Sequence, residues 1–163
     1  MTDTPTVPPT EPNLGTVAFG AVAASPVADA VKALLKEQGY AIIDVSEHNE
    51  SHPTWPSVGQ RVANVVTEGQ ASTGIALCWT GSGVAISAST VPGARAAFCS
   101  AAAEARNARQ WHDANVLALS LWAPLPTVVD TVRAWLDAVP FQDSPHIQAR
   151  ADLASLAHTA VAA

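Results

Sequence analysis

The sequence predicts an α/β protein built on a parallel, doubly wound sheet. Short apolar runs alternate with helical patterns along the chain, and each run is apolar throughout. Strands that are buried on both faces by crossover helices show this continuous pattern, and such crossovers make a sheet parallel. The 163 residues, 48% of them hydrophobic, suffice for one core. We therefore predict a single domain over residues 14–163 with a five-stranded parallel sheet.

The first strand and helix follow a proline-rich N-terminal segment. Residues 1–13 hold four of the twelve prolines and show no hydrophobic periodicity, which predicts a disordered tail. Residues 16–20 form the first predicted strand. Ser25 is the expected N-cap of the first helix, Pro26 its first residue and Gly39 its stop.

The alternation continues to the C-terminus. The further predicted strands are residues 40–45, 74–78, 95–99 and 116–119. The further predicted helices are a valine-striped segment that ends near residue 69, then residues 83–89, 101–111 and 126–138. A final helix from residue 147 to about 160 lies beyond the last strand–helix unit, where it would pack on the domain or on a partner subunit.

Composition and charge exclude several classes of protein. The formal net charge is −6 and the basic residues are scattered, so no patch is available to bind nucleic acid. No apolar run approaches the roughly 18 residues of a membrane span. Cys78 and Cys99 form neither a metal-binding pair nor a disulfide framework, and no signal segment opens the chain, which favours a cytoplasmic protein.

The turn after the third strand, residues 78–83 (CWTGSG), is the first candidate site. Ligands of parallel α/β sheets bind at the carboxyl ends of the strands, next to helix N-termini. Gly81 and Gly83 would let several N–H donors surround a carboxylate, a phosphate or a developing oxyanion. A thiol at a helix N-terminus ionises more readily, which makes Cys78 a candidate base or nucleophile. The alternative is a buried strand-end cysteine beside an ordinary glycine-rich turn.

Several motifs in this order resemble a known enzyme family. They are the strand-end cysteine, a T-G-x-G turn at residues 80–83, V-P-G-x-R-A-A at residues 91–97 and D-A-N-V-L at residues 113–117. Together they resemble type B ribose-5-phosphate isomerase and its galactose-6-phosphate isomerase relatives. The similarity covers nearly all of the chain after the tail.

The resemblance implies a fold, an activity and an assembly. The fold would be a flavodoxin-like three-layer αβα sandwich. The activity would be aldose–ketose isomerisation of a small sugar phosphate, with no metal and no organic cofactor. The assembly would be a homodimer or higher homo-oligomer whose active sites are shared between subunits.

The resemblance also assigns roles to individual residues. Cys78 would be the base that moves a proton between the first two sugar carbons. Thr80, Gly81, Ser82 and Gly83 would bind the enediolate oxygen. His112 aligns with the asparagine that helps hold the enediolate in the family. Trp79 stands where typical members have glycine, so it would narrow the sugar site.

Other positions depart from the family pattern. Residues 22–25 (VAAS) replace an Asp-His-Ala-Gly motif that contacts the sugar, and residues 51–53 (SHP) replace Asp-Tyr-Pro. Trp111 aligns with the histidine that opens the sugar ring. Pro145 and Ala149 align with two arginines that bind the phosphate, which leaves Arg150 one residue out of register. These changes predict an altered substrate, with phosphate recognition weakened.

The remaining candidates each have two interpretations. His52 follows the second strand and would line the same pocket as Cys78, or it would be an ordinary surface histidine. Trp55, Trp79 and Trp111 would form an aromatic wall around the site, or each would serve packing alone.

Three functions follow from these observations. The first is an isomerase that transfers a proton next to a carbonyl, on a sugar phosphate or a related polyol. The second is an enzyme of specialised metabolism that uses the same cysteine for dehydration, epimerisation or cyclisation of a non-phosphorylated substrate. The third is a non-catalytic subunit that pairs with an active homologue.

Overall fold

The computed structural model describes residues 15–46 and 53–161, with side chains described up to residue 156. The strands are β1 (Thr16–Ala21), β2 (Ala41–Asp44), β3 (Thr73–Cys78), β4 (Ala96–Phe98) and β5 (Val116–Ser120). The helices are α1 (Pro26–Glu37), α2 (Trp55–Thr67), α3 (Ser82–Ser89), α4 (Ala102–His112), α5 (Leu125–Asp137) and α6 (Ser144–Val161). The predicted tail, residues 1–13, lies outside the described residues.

The five strands form one parallel sheet with the order β2-β1-β3-β5-β4. Helices α1, α4 and α5 cover one face, and α2 and α3 cover the other. Helix α6 rests on α4. The arrangement confirms the predicted flavodoxin-like αβα sandwich.

Local sequence signals account for the helix starts. Ser25 caps α1 by accepting a hydrogen bond from the Ala28 N–H over 3.0 Å, and Pro26 is the first helical residue, as predicted. Thr54 caps α2 in the same way and accepts from the Ser57 N–H over 3.4 Å. A side-chain oxygen at this position satisfies one of the N–H groups that a helix leaves unpaired at its start.

Strand β4 is one residue shorter at each end than predicted, although the Arg95 carbonyl and the Cys99 N–H still form hydrogen bonds with the backbone of β5. Arg95 turns to the start of β5, where its Nε–H donates to the Asp113 carbonyl over 2.7 Å and its guanidinium pairs with the Asp113 carboxylate. Cys99 is buried one residue beyond the strand. Both residues hold the edge of the sheet in place.

The core lies on both faces of the sheet. Phe19, Ile75 and Leu117 point toward α1 and α5, whereas Ala18, Ala76 and Ala118 lie on the face covered by α2 and α3. Small side chains on the second face let those two helices approach closely. Within the described residues, no helix is both long and apolar enough to cross a membrane.

Candidate active site

A cavity at the carboxyl edge of the sheet lies beside the end of β3. It has a volume of about 630 Å³ and receives residues from the loops after β1 and β3 and from the start of α2. Its described lining consists of Val22, Ala23, Pro53, Thr54, Trp55, Cys78, Trp79, Thr80 and Gly83. This is the edge at which parallel α/β sheets bind ligands.

Cys78 supplies the thiol in the described lining of this cavity. It ends β3 with a side chain that is only 4% exposed, and it is a free thiol. The Gly81 N–H donates a hydrogen bond to Cys78 Sγ over 3.2 Å. The sulfur is therefore held in one position at the cavity wall.

The turn after Cys78 needs its glycines for different reasons. Gly81 precedes α3 with a φ of +81°, and a Cβ there would lie 2.5 Å from the Phe98 ring. Gly83 has no such backbone requirement, but a Cβ there would come within 2.9 Å of the Trp55 indole. The turn can therefore pass between these two aromatic rings and bring the N-terminus of α3 up to the cavity.

The first N–H groups of α3 supply the electrostatics of the site. The N–H groups of a helix's first turn have no intrahelical partner, and they carry the positive end of the helix dipole. Ser82 Oγ donates to Thr80 Oγ1 over 3.1 Å, which orders the polar side of the turn. The described cavity lining contains no charged side chain, so these backbone dipoles are its principal polar feature.

Two residues after β3 and its turn in the chain, Ser120 and Trp122, contact Trp79 and were not among the residues predicted for the site. The Trp122 ring lies 6.1 Å from that of Trp79 at an interplanar angle of 31°, and both rings are at least half exposed. Ser120 Oγ donates to the Trp79 carbonyl over 2.7 Å and accepts from the Trp122 N–H over 3.1 Å. Ser120 ends β5 and Trp122 follows two residues later, so the rule that led to residues 78–83 points equally to this loop.

His112 and Trp111 do not meet Cys78 within one chain. They end α4, and α4 returns from the carboxyl edge of the sheet to the amino edge before β5 begins. His112 lines a second cavity of about 690 Å³ along β4, together with Arg95, Asp113 and Arg150. Trp111 instead contacts the His146 ring edge-on, at 5.9 Å between centroids.

Two of the three tryptophans of the predicted aromatic wall lie together in one chain. Trp55 and Trp79 line the cavity as an aromatic wall, but the predicted third member, Trp111, does not. A helix that follows a strand ends at the opposite edge of a parallel sheet, so the order of motifs along the chain did not imply proximity. His52 lies outside the described residues, although the neighbouring Pro53 lines the cavity.

Cys99, the other thiol, has a different environment. Burial, and secondarily the nearby Glu104 carboxylate, raises its pKa to about 12. It lies among residues at the end of β4 and on α5, outside the lining of the cavity beside Cys78. Cys99 is therefore a packing residue. No group of three residues in the described parts of the chain is arranged to hold a metal ion.

The five-stranded parallel sheet and the cysteine at the end of β3 define a flavodoxin-like α/β protein with a thiol in its candidate site, and comparison with known proteins gives the family. The ribose/galactose isomerase family model matches residues 20–153. The D-erythrulose-4-phosphate isomerase of Pectobacterium atrosepticum is 34% identical over 125 residues, which cover 75% of this chain and 82% of that protein.

Solved structures agree with this result. Ribose-5-phosphate isomerase B of Clostridium thermocellum superposes with a TM-score of 0.82 at 32% identity, covering 88% of this chain and 98% of that one. The type B enzyme of Trypanosoma brucei superposes with a TM-score of 0.80 at 27% identity, covering 86% and 97%. The chain belongs to the ribose/galactose isomerase family and is an isomerase.

Proposed function

We propose that the protein interconverts an aldose and a ketose, with Cys78 as the base that moves the proton. The observation that carries this proposal is the position of Cys78 Sγ, which lies at the wall of the cavity at the carboxyl edge and accepts the Gly81 N–H at 3.2 Å. A buried cysteine used only for packing would need neither the cavity nor the adjacent helix N-terminus.

The reaction requires a base and a stabilised oxyanion. The Cys78 thiolate would take the proton from C2 of the open-chain aldose, and the C–H electrons would form the C1–C2 double bond of an enediolate. The resulting thiol would return its proton to C1 while the hydroxyl proton moves from O2 to O1, which yields the ketose. A well-placed base contributes about 10²- to 10⁴-fold to such a step.

The turn at residues 80–83 would stabilise the enediolate. Thr80 and Gly83 line this cavity, whose walls are largely apolar, and a hydrogen bond from their N–H groups to developing negative charge would be stronger there than in water. Removing one such donor from an enzyme typically lowers kcat by about 10²- to 10³-fold. The Thr80 hydroxyl is a further polar group at the cavity wall.

The lining supports an altered substrate. Val22 and Ala23 present only apolar groups, and Trp79 and Trp55 reduce the space beside the base. Relatives are named for a four-carbon substrate, erythrulose 4-phosphate, and for ribose 5-phosphate and galactose 6-phosphate. The two indoles beside the base and the apolar walls favour a short sugar phosphate or an unphosphorylated polyol of similar length.

A second copy of the chain would complete the site. One protomer places no cation in the described lining around Cys78, whereas His112 and Arg150 lie in the open cavity along the edge strand β4. A symmetric homodimer would bring these residues to the partner's Cys78 and supply charge for a phosphate. The two free thiols suit a reducing cytoplasm.

A second candidate function rests on the apolar lining alone. Dehydration, epimerisation or cyclisation of a non-phosphorylated substrate would begin with the same proton abstraction by Cys78. The absence of charge from the described lining favours this alternative over a phosphosugar. A non-catalytic subunit is less consistent with a cysteine that retains its cavity and its turn.

Deuterium exchange separates these possibilities. The protein is incubated in D₂O with four- to six-carbon aldose and ketose phosphates and with their unphosphorylated forms, and label is followed by NMR. Label at C1 or C2 that disappears in Cys78→Ala establishes the isomerase. Label only in unphosphorylated compounds establishes the altered substrate, and no label in any compound refutes the proposed proton transfer.

A further inference from the structure

We propose that Ser120 is a positioning residue that turns the Thr80 N–H toward the reacting oxygen of the substrate. This inference rests on the proposed function, since it concerns the same turn. Ser120 ends β5 and lies directly opposite Cys78 in the parallel ladder between β3 and β5. Its hydroxyl thus stands beside the turn without lining the cavity.

The Ser120 hydroxyl holds one peptide group of the turn. Its Oγ donates a 2.7 Å hydrogen bond to the carbonyl of Trp79. The same oxygen accepts the Trp122 N–H over 3.1 Å, so both its donor and its acceptor functions are used. The Leu121 N–H also donates to the Cys78 carbonyl over 2.9 Å, which ties the two loops together.

The Trp79 carbonyl and the Thr80 N–H belong to the same peptide group. A trans peptide is planar and directs these two groups to opposite sides, and the described residues contain no cis peptide bond. Fixing the carbonyl toward Ser120 therefore fixes the N–H in the opposite direction.

The strand order decides what lies in that direction. Strand β3 has β5 on one side and β1 on the other. Ser120 lies on the β5 side, and the cavity opens on the β1 side, where Val22 and Ala23 follow β1. An N–H that points away from Ser120 therefore points toward the cavity, where Thr80 is already part of the wall.

The test measures the direction of the Thr80 N–H bond and its effect on turnover. Residual dipolar couplings of ¹⁵N-labelled protein report that direction without any ligand. Ser120→Ala is compared with Ser120→Thr, which keeps the hydroxyl. Ser72→Ala is the matched control, because Ser72 Oγ also donates to a backbone carbonyl, that of Thr16 at 3.1 Å, but at the amino edge of the sheet.

We expect Ser120→Ala to change the Thr80 coupling and to lower kcat by about 10²-fold, as when an oxyanion donor is lost, with KM changed less than about threefold. Ser120→Thr should restore both values, and Ser72→Ala should change neither. Glycolohydroxamate, a planar mimic of an enediolate, should shift the Thr80 amide resonance in the wild type. It should bind Ser120→Ala about tenfold more weakly than the wild type.

The outcomes separate this inference from the proposed function. If the wild type shows no deuterium exchange but Ser120→Ala still changes the Thr80 coupling and hydroxamate binding, the proposed function fails and the positioning role stands. An unchanged Thr80 coupling in Ser120→Ala overturns the positioning role, whatever the activity. A fall in kcat that Ser120→Thr does not rescue also overturns it.

Discussion

Cys78 and Gly81 are joined by a hydrogen bond from the Gly81 N–H to Cys78 Sγ over 3.2 Å. The bond closes the turn between β3 and α3, so the thiol and the N-terminus of α3 share one fixed geometry. In the proposed reaction, a base and oxyanion donors that are held together in this way would need no rearrangement before proton transfer.

Cys78→Ala should abolish exchange of the substrate's carbon-bound proton. Loss of a general base lowers the rate by about 10²-fold or more. Cys99→Ala is the matched control, because Cys99 is equally buried but does not line the cavity beside Cys78. NMR detection of deuterium uptake measures both variants. Exchange that persists in Cys78→Ala would assign the base to another residue.

Gly81→Ala should cost more stability than Gly69→Ala. Both glycines have a positive φ, +81° and +77°, and this conformation costs an alanine about 1–2 kcal/mol. A Cβ at Gly69 meets nothing within 4 Å, whereas one at Gly81 would lie 2.5 Å from the Phe98 ring. Urea unfolding gives the free energy of unfolding of both variants, and the difference between their losses measures the steric clash with Phe98. Equal losses would show that Phe98 moves aside freely.

Cys99 should resist alkylation in the folded protein at pH 8. Its pKa is raised to about 12, chiefly by burial, and only the thiolate reacts. Mass spectrometry after iodoacetamide treatment should find Cys99 modified in urea but not in buffer. Modification at equal rates in both conditions would contradict its burial.

The same shift predicts a pH dependence of stability. The folded protein favours the neutral Cys99 thiol. The contribution of this thiol to the free energy of unfolding is therefore complete below the ordinary pKa of 9.0, and it is lost as the pH rises toward the raised pKa of about 12. The free energy of unfolding of the wild type should therefore fall more steeply above pH 9 than that of Cys99→Ala. Parallel pH profiles for the two proteins would refute this assignment.

Trp79→Gly should shift specificity toward longer substrates. The indole occupies part of the cavity beside Cys78, and space for one extra carbon group changes kcat/KM by roughly 10-fold or more. The ratio of kcat/KM for five- and four-carbon substrates measures the effect. Trp79→Phe, which keeps a ring, is the matched control. An unchanged ratio in Trp79→Gly would show that Trp79 does not limit substrate length.

Mixing two inactive variants should restore activity if the site is shared between subunits. Cys78→Ala and His112→Ala each damage one half of the proposed site. After joint refolding, half of the dimers are mixed and each holds one intact site, so roughly a quarter of wild-type activity should return. Neither variant refolded alone should recover. Failure of the mixture would place His112 outside the active site.

The alternation of apolar runs and helical patterns was sufficient to predict all five strands of the sheet and their helices, within a few residues. The predicted motif at residues 78–83 also lies at a cavity, because strand ends and helix starts are local features that a short segment specifies. By contrast, Trp111 and His112 follow one another in a motif but lie far from Cys78 in the chain's own fold, since α4 carries them to the amino edge of the sheet.

The sequence by itself therefore determined the fold class and the family, and it predicts Cys78 as the base. Burial periodicity, capping residues and the Cys78 turn act over a few residues and can be recognised one segment at a time. Only the tertiary structure decided which loops meet: the pairing of β3 with β5 places Ser120 opposite Cys78 and brings Trp122 onto Trp79. These contacts join residues about forty positions apart, and strand order, which depends on packing of the whole chain, sets them.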